Sequence, residues 1–253
     1  MMEPFTRSYR TRHQGTDLKY FKVQVKESDL DIGVDEGGFS PSLARDVEKQ
    51  LIKIRGDLET YITLHPEFFA SLEPVELLPG APRVAQQMAE AAAAAGVGPM
   101  AAVAGTIAQA IGEFLDSQFD NIIVENGGDL FIRTTRERVV AVIGGKSPFS
   151  NRIAIKVAPE ESPLGICTSS GTVGPSLSLG KADTALVKAY TGALADAVAS
   201  GVGNRVRDKN NLMPALEYGQ NINGVSGILV IMEDRLAAWG KIELVPLGDG
   251  PEK

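Results

Sequence analysis

The sequence predicts an α+β fold in which antiparallel sheets pack against helices. Three observations carry this. An alternating stretch near the N-terminus and a second apolar run just after it read as a β-hairpin. A long segment repeats its apolar residues every three or four positions, as an amphipathic helix does. The apolar runs between positions 121 and 157 are separated by Gly, Asn and Pro turns rather than by helical segments. Strands and helices are therefore partly segregated, unlike in a doubly wound parallel sheet.

In Leu18–Lys26, Phe21, Val23 and Val25 point one way and Lys22, Gln24 and Lys26 the other, so this is a half-buried strand. Asp29–Val34 is the strand that pairs with it. Ser40-Pro41-Ser42 opens a helix, because the missing Pro N–H costs nothing in the first turn. Leu43, Val47, Leu51, Ile54, Leu58 and Ile62 then form its apolar stripe, and Pro66 ends it. His65 reads as a packed residue at this helix end rather than a ligand. A second helix runs from Arg83 to about Ala95, and a third from Met100 to Leu115. The Gly96–Pro99 turn between them has two readings: glycines that let helices pack closely, which is favoured, or a phosphate site at a helix N-terminus.

Asn121–Glu125 and Leu130–Arg133 are short strands joined by Asn126-Gly127-Gly128-Asp129, a strong hairpin signal. Val139–Ile143 and Arg152–Val157 extend the pattern, giving an antiparallel meander. Leu164–Thr168 is a strand, Ser169–Lys181 a loop, Thr184–Tyr190 a strand and Thr191–Val202 a helix. Residues 203–224 are polar and aperiodic, a loop or short helix. Ser226–Met232 and Ala237–Val245 are the last two strands, and the tail from Leu247 is loose.

Composition narrows the function. With 253 residues the chain can build a sizeable core. Its net charge of −7 gives no support for binding nucleic acid or an anionic membrane. A single cysteine, Cys167, excludes an internal disulfide and fits a reducing compartment, so a cytoplasmic protein is expected. MMEPFTRSYRTRHQG has no apolar core and does not read as a signal peptide. Ala91–Leu115 is long enough to span a bilayer, but Gly96–Pro99 breaks it and Gln109 and Glu113 sit within it, so two packed helices are expected.

Two histidines, His13 and His65, leave no zinc-finger spacing and no supported Ser-His-Asp triad. Cys167 reads as a buried strand-end thiol before it reads as a nucleophile. Oxygen chemistry remains: Asn126, Asp129, Thr168, Ser169, Ser170, Asp183, Asp196 and Ser200 are short oxygen-bearing residues near glycine turns or on a small-residue helix. Asp196 and Ser200 lie i, i+4 on one face, with Ala195, Ala197, Val198 and Ala199 around them. A carboxylate in apolar surroundings is costly unless paired or metal-bound. On chemistry alone two readings stand level. Either Asp196 holds a hard cation such as Mg²⁺, which takes oxygen ligands, or it pairs with Lys188 or Arg205.

The order of Asn126-Gly127-Gly128-Asp129, then Thr168-Ser169-Ser170-Gly171, then Ala195-Asp196-Ala197-Val198-Ala199-Ser200 resembles the ApbE-like flavin transferases. Gly15-Thr16 and the helix Gly105–Gly112 also fall where that family has a Gly-Thr and a Lys-Gly helix. The resemblance covers roughly residues 15–245. It implies one ApbE-like domain over 1–253, with a duplicated T-fold-like arrangement. It implies FAD as the cofactor and Mg²⁺ as the cation, and transfer of FMN to a Ser or Thr hydroxyl of a partner protein. By resemblance Asp196 is the catalytic residue and, with Ser200, a metal ligand. Asn126, Gly127, Gly128, Asp129, Thr168, Ser169, Ser170 and Gly171 contact the cofactor.

The chain departs from the family's pattern in several places. The family lysine has no counterpart in AGTIAQAIG, and its His-Ile-x-Asp-Pro segment is replaced by Ser176–Asp183. Ser200 stands where Thr is usual, and no lipoprotein leader is expected. Two alternatives therefore stay open: a non-catalytic binder of a phosphorylated small molecule, and a different small-molecule enzyme on the same scaffold. The expected partner is a small-molecule ligand, a nucleotide or flavin. A homo-oligomer is compatible with the sequence.

Overall fold

The computed structural model describes residues 17–171 and 179–247. Gly15-Thr16, His13, residues 172–178, which take in the first part of the replacing segment, and the tail beyond Leu247 lie outside them. The fold is α+β, as expected. Strands β1 (Leu18–Val25) and β2 (Ser28–Asp35) form the N-terminal hairpin, turning at Lys26 with φ +53°. Helix α1 (Pro41–Leu64) starts where Ser40 Oγ accepts the Leu43 N–H, and it buries Leu43, Val47, Leu51, Ile54, Leu58 and Tyr61. A short helix α2 (Pro66–Ala70) follows. Helix α3 (Arg83–Ala95) ends on Gly96 at φ +61°, a left-handed cap that favours glycine. After a 3₁₀ turn at Pro99–Ala102 comes α4 (Val103–Leu115).

The strands that follow are β3 (Ile122–Asn126), β4 (Asp129–Arg133), β5 (Arg138–Ala141), β6 (Ile153–Val157), β7 (Leu164–Ser169) and β8 (Thr184–Ala189). Helices α5 (Gly192–Arg205) and α6 (Leu212–Gln220) precede β9 (Val225–Met232), β10 (Arg235–Gly240) and β11 (Leu244–Pro246). Eight strands form one antiparallel sheet in the order β1-β2-β3-β4-β7-β8-β9-β10. A second sheet of three has the order β11-β6-β5.

The sheet order corrects the expected meander. Strand β4 pairs directly with β7, so β5 and β6 leave the main sheet. The expected last strand also divides. Strand β10 pairs with β9, and the chain then breaks at Gly240, φ +75°, so that β11 can pair with β6. The physical reason is burial on both faces. One side of the large sheet (Ile32, Val124, Val187, Val230) packs on the helices. The other (Ile123, Ile132, Leu186, Leu229) packs on Val140, Val142, Ile155 and Val157 at the small sheet. A strand covered twice reads as a continuous apolar run, which is why β3 is buried at every position.

Among the described residues no single helix is long and apolar enough to cross a membrane. Residues Arg83–Ala95 and Pro99–Leu115 reach that character only as a pair, bent by 103°. The polar residues in this run bond inside the protein. Gln109 Oε1 accepts the Gly192 N–H at 2.9 Å, and Glu113 pairs with Arg83 at 2.9 Å.

Helices α4 and α5 touch backbone to backbone. A Cβ on Gly105 would lie 2.3 Å from the Gly192 carbonyl oxygen, and one on Gly192 would lie 2.4 Å from that of Gly105. Gly192→Ala is therefore expected to destabilise the protein by about 1–3 kcal/mol, the range for overpacking. Urea unfolding reads this as a lower midpoint; an unchanged midpoint would show that the crossing can relax.

Candidate active site

The site gathers at the start of α4. The β3–β4 turn supplies its first part. Asn126 pairs with Asp129, while Gly127 and Gly128 take φ +71° and +109°, conformations the tight hairpin requires. Glu125 Oε1 accepts the Gly128 N–H at 2.7 Å. Strand β7 supplies the second part. The Thr168 N–H donates to Asp129 Oδ1 at 3.1 Å, and Thr168 Oγ1 donates to the Gly128 carbonyl at 3.3 Å. The first two sequence motifs are thus one bonded unit.

Helix α5 supplies the third part. Asp196 Oδ2 accepts the Gly105 N–H at 2.8 Å. From the sheet side, Asn126 Nδ2 donates to the Ala104 carbonyl at 3.1 Å. Neighbouring residues of the first turn of α4 are therefore held from α5 and from β3. A carboxylate at a helix N-terminus meets unpaired N–H groups and partial positive charge, which favours its ionised form.

Burial opposes this. Asp196 as a residue keeps partial exposure, but its carboxyl group is enclosed by protein. Enclosure pushes its pKa well above the usual carboxylate range, and the nearby Asp129 adds to the rise. The N–H groups of Gly105 and Ala104 pull the other way. Asp129 is pushed up to about 7, first by burial and then by Glu125, against bonds from the Thr168 N–H and the Cys167 thiol. The Cys167 thiol is pushed up by burial and by both aspartates, and its Sγ donates to the Gly192 carbonyl at 3.5 Å. It is a buried, protonated strand residue, as favoured, and not a nucleophile.

The remaining sequence candidates divide. Ser200 is one turn beyond Asp196 on α5 and half-buried. Ser169 lies at the far end of α5, where a Cβ on Gly203 would be 3.1 Å from its Oγ. Ser170 is half-buried and Gly171 exposed; the Gly171 N–H donates to the Ala182 carbonyl at 2.9 Å. Asp183 accepts the Glu233 N–H at 2.6 Å and serves the β9–β10 turn.

The suggested ion-pair partners of Asp196 are engaged elsewhere. Lys188 bonds Glu161 at 2.6 Å, and the Arg205 guanidinium lies 3.5 Å from the centre of the Tyr218 ring. Gly98 is closely packed, since a Cβ there would fall 1.9 Å from the Ser71 carbonyl oxygen just past α2, whereas Gly96 is there for the left-handed cap of α3 and has open space around it. His65 is buried and 3.2 Å from the Tyr61 hydroxyl, a packed residue.

Sequence reasoning missed Ala104 and Gly105, whose backbone groups meet Asn126 and Asp196. Their one signal was Gly105 itself, the third residue of an Ala/Gly-rich helix. It also missed a cavity of about 540 Å³ that reaches Ala104 and Asn126 from α1. Among the described residues no group of three or more His, Cys, Asp and Glu could hold a metal ion. A cation bound at Asp196 has to draw on hydroxyl, backbone or ligand oxygens.

The raised Asp129 pKa carries a stability consequence. Between the ordinary value of 3.8 and about 7, the folded state holds a proton that the unfolded state has lost. This group therefore stabilises the fold most at low pH, and the contribution fades as pH rises through 7. Asp129→Asn keeps an acceptor without the ionisation. The melting temperature of the variant is expected to gain on the wild type as pH is raised from about 5 to 8. A difference independent of pH would overturn the assignment.

Comparison with known proteins establishes the family and the fold. The family model described as "AbpE bacteria" matches residues 10–224. A UPF0280 protein of Methanocella arvoryzae is 37% identical over 225 residues, covering 88% of this chain and 89% of its own. One of Archaeoglobus fulgidus is 37% identical over 240 residues, covering 93% and 97%. Among solved structures, the flavin transferase ApbE from Vibrio cholerae superposes with a TM-score of 0.52 at 12% identity, covering 88% of this chain and 97% of its own. The ApbE protein of Thermotoga maritima has a TM-score of 0.52 at 12% identity, covering 87% and 96%. The chain therefore has the ApbE fold and belongs to the AbpE bacteria family.

Proposed function

We propose that this protein binds FAD and, with Mg²⁺, transfers its FMN moiety to a hydroxyl group of a partner protein. The observation that carries the proposal is the seat of Asp196. A carboxylate with a raised pKa is held at the N-terminus of α4, electrostatically coupled to Asp129 in the Asn126–Asp129 turn. The fold shared with flavin transferases supports the same reading. Residues 1–253 are treated as one ApbE-like unit, and the lone cysteine is compatible with a cytoplasmic setting.

The donor set fits a hard cation. Asp196 brings a carboxylate and Ser200 a hydroxyl one turn further on the same helix. A bound cation would offset the burial, and the smaller effect of the Asp129 charge, that raise the pKa of Asp196. When present it supplies positive charge to the pyrophosphate of the substrate. The protein's own residues then position. Asn126 and Thr168 fix the Gly127-Gly128 turn so that its backbone can approach a phosphate, and Gly105 fixes Asp196. In the transfer, the bond between the FMN phosphorus and the AMP oxygen breaks. A bond to the acceptor hydroxyl oxygen forms, AMP leaves, and the hydroxyl proton is lost. Such a reaction depends mainly on positioning and charge.

A second reading has its own observation. The family's lysine is absent from α4, and Ser176–Asp183 replaces its histidine segment. These absences favour a protein that binds FAD without cleaving it.

Asp196→Ala is expected to abolish Mg²⁺-dependent release of AMP from FAD, measured by chromatography of the nucleotides. A rate equal to that of the wild type would sink the transferase reading. Tight FAD binding with no AMP release by the wild type would leave the binder.

A further inference from the structure

The exposed apolar side chains are concentrated in one place. Ten large apolar residues stand exposed among the described residues, and half of them, Leu64, Phe69, Leu72, Leu77 and Leu78, fall between positions 64 and 78. A contiguous exposed patch of this kind marks a surface that something covers. We propose that this strap, from the end of α1 to Pro79, is the docking surface for a partner polypeptide, a segment that carries both apolar and basic side chains. The inference goes beyond the function proposed above and does not rest on it.

First, the strap is held in place. The Leu78 N–H donates to Tyr61 Oη at 2.9 Å, which lays one end on the last turn of α1. At the other end Ser71 packs against Gly98, and its Oγ donates to the Glu73 carbonyl at 2.8 Å and accepts the Glu73 N–H at 3.1 Å. Pro74 and Pro79 disfavour helical backbone at Glu73 and Leu78. A surface already fixed in one shape loses little conformational entropy on binding.

Second, its backbone is open. Residues 74–78 belong to neither helix nor sheet, and Val75, Glu76 and Leu77 make no backbone hydrogen bond to the described residues. Open N–H and C=O groups accept a partner strand alongside, and side chains at alternate positions then supply the specificity.

Third, the charge selects the partner. From Gly56 to Pro82 the chain has Asp57, Glu59, Glu67, Glu73 and Glu76 and no Lys or Arg. Glu59 is taken by Lys26 and Arg55. Glu67, Glu73 and Glu76 are exposed and form no ion pair among the described residues. A second copy brought face to face by a two-fold axis would set these glutamates against their own equivalents. An anionic membrane surface would repel them. A basic and apolar polypeptide satisfies the glutamates and the leucines together. Phe69 also lines the cavity that reaches Asn126, so a segment docked along the strap lies beside the candidate site.

The test is fluorescence anisotropy with the full chain and a short labelled peptide of alternating Lys and Val, beside the same peptide with Glu for Lys. The Lys-Val peptide is expected to bind about tenfold or more tightly than the Glu-Val peptide. Glu67→Lys, Glu73→Lys and Glu76→Lys in one chain are expected to reverse that preference. Glu48→Lys, Glu90→Lys and Glu217→Lys, the same change of net charge at exposed positions elsewhere, are expected to leave it in place. Leu72→Ser with Leu77→Ser is expected to weaken the Lys-Val peptide about tenfold. All these positions are exposed, so each variant is expected to keep the wild-type melting curve. No preference for Lys-Val in the wild type, an equal loss of it in both charge variants, or unchanged affinity in the leucine variant overturns the inference. Self-association in sedimentation velocity that the leucine variant loses gives the surface to a second copy. Flotation with phosphatidylcholine vesicles that the same variant loses gives it to a membrane. Either of these also overturns it. FAD turnover plays no part in the readout, so this result and the test of the proposed function are decided separately.

Discussion

The site depends on one contact: the crossing of α4 and α5 at Gly105 and Gly192. No side chain intervenes there, so the helix backbones meet. That approach brings Asp196 within 2.8 Å of the Gly105 N–H, and Gln109 within 2.9 Å of the Gly192 N–H. Each helix end is capped by a side chain of the other helix. Gly165 of β7 joins the same point, since its Cβ would fall 2.5 Å from the Gly192 Cα. Three glycines from two helices and a strand thus set the distance between the sheet motifs and the helix carboxylate. Protein interiors are close-packed, so a methyl group at this point is transmitted to the site rather than absorbed.

The electrostatics follow from the layering. The large sheet is covered by helices on one face and by the small sheet on the other, so Asp129 at the end of β4 has little access to water. Desolvation raises its pKa, and the same burial is the main cause of the rise at Asp196 and Cys167, to which the charge of Asp129 adds. The same layering explains Lys188. It faces the small sheet and is 1% exposed, satisfied by Glu161 and by the carbonyls of Lys156 and Lys241. Its role is to anchor the two sheets, which is why it is not available to Asp196.

Much of the fold was legible. The α1 stripe, the Asn126–Asp129 turn, the α5 start at Thr191 and the two-helix run around Gly96–Pro99 are local patterns, and local patterns follow from spacing and turn chemistry. The path of β5, β6 and β11 was not. Val139–Ile143 reads equally well as the next strand of a meander or the first of another sheet, because pairing partners are not local. The break at Gly240 was likewise hidden inside an apolar run. At the site, the chemical oddity of Asp196 on a small-residue helix could be read, and so could the turn glycines. The partner of Asp196 could not. Lys188 and Arg205 are nearby in sequence and opposite in charge, but the group that binds it is a backbone N–H 91 positions away.

The sequence by itself determined which residues are the candidates for chemistry and which elements carry them, since residue types, periodicity and turn signals are properties of neighbours along the chain. Only the tertiary structure decided what those residues face. It tied the first two motifs into one unit through Thr168 and Asp129, and it set Asp196 on α4 rather than on a lysine. It also opened a cavity beside Asn126 whose walls come from α1, a helix that carries none of the motifs. The physical reason is that burial, close approach and pKa are set by what packs across space, and spacing along a chain does not encode which faces meet.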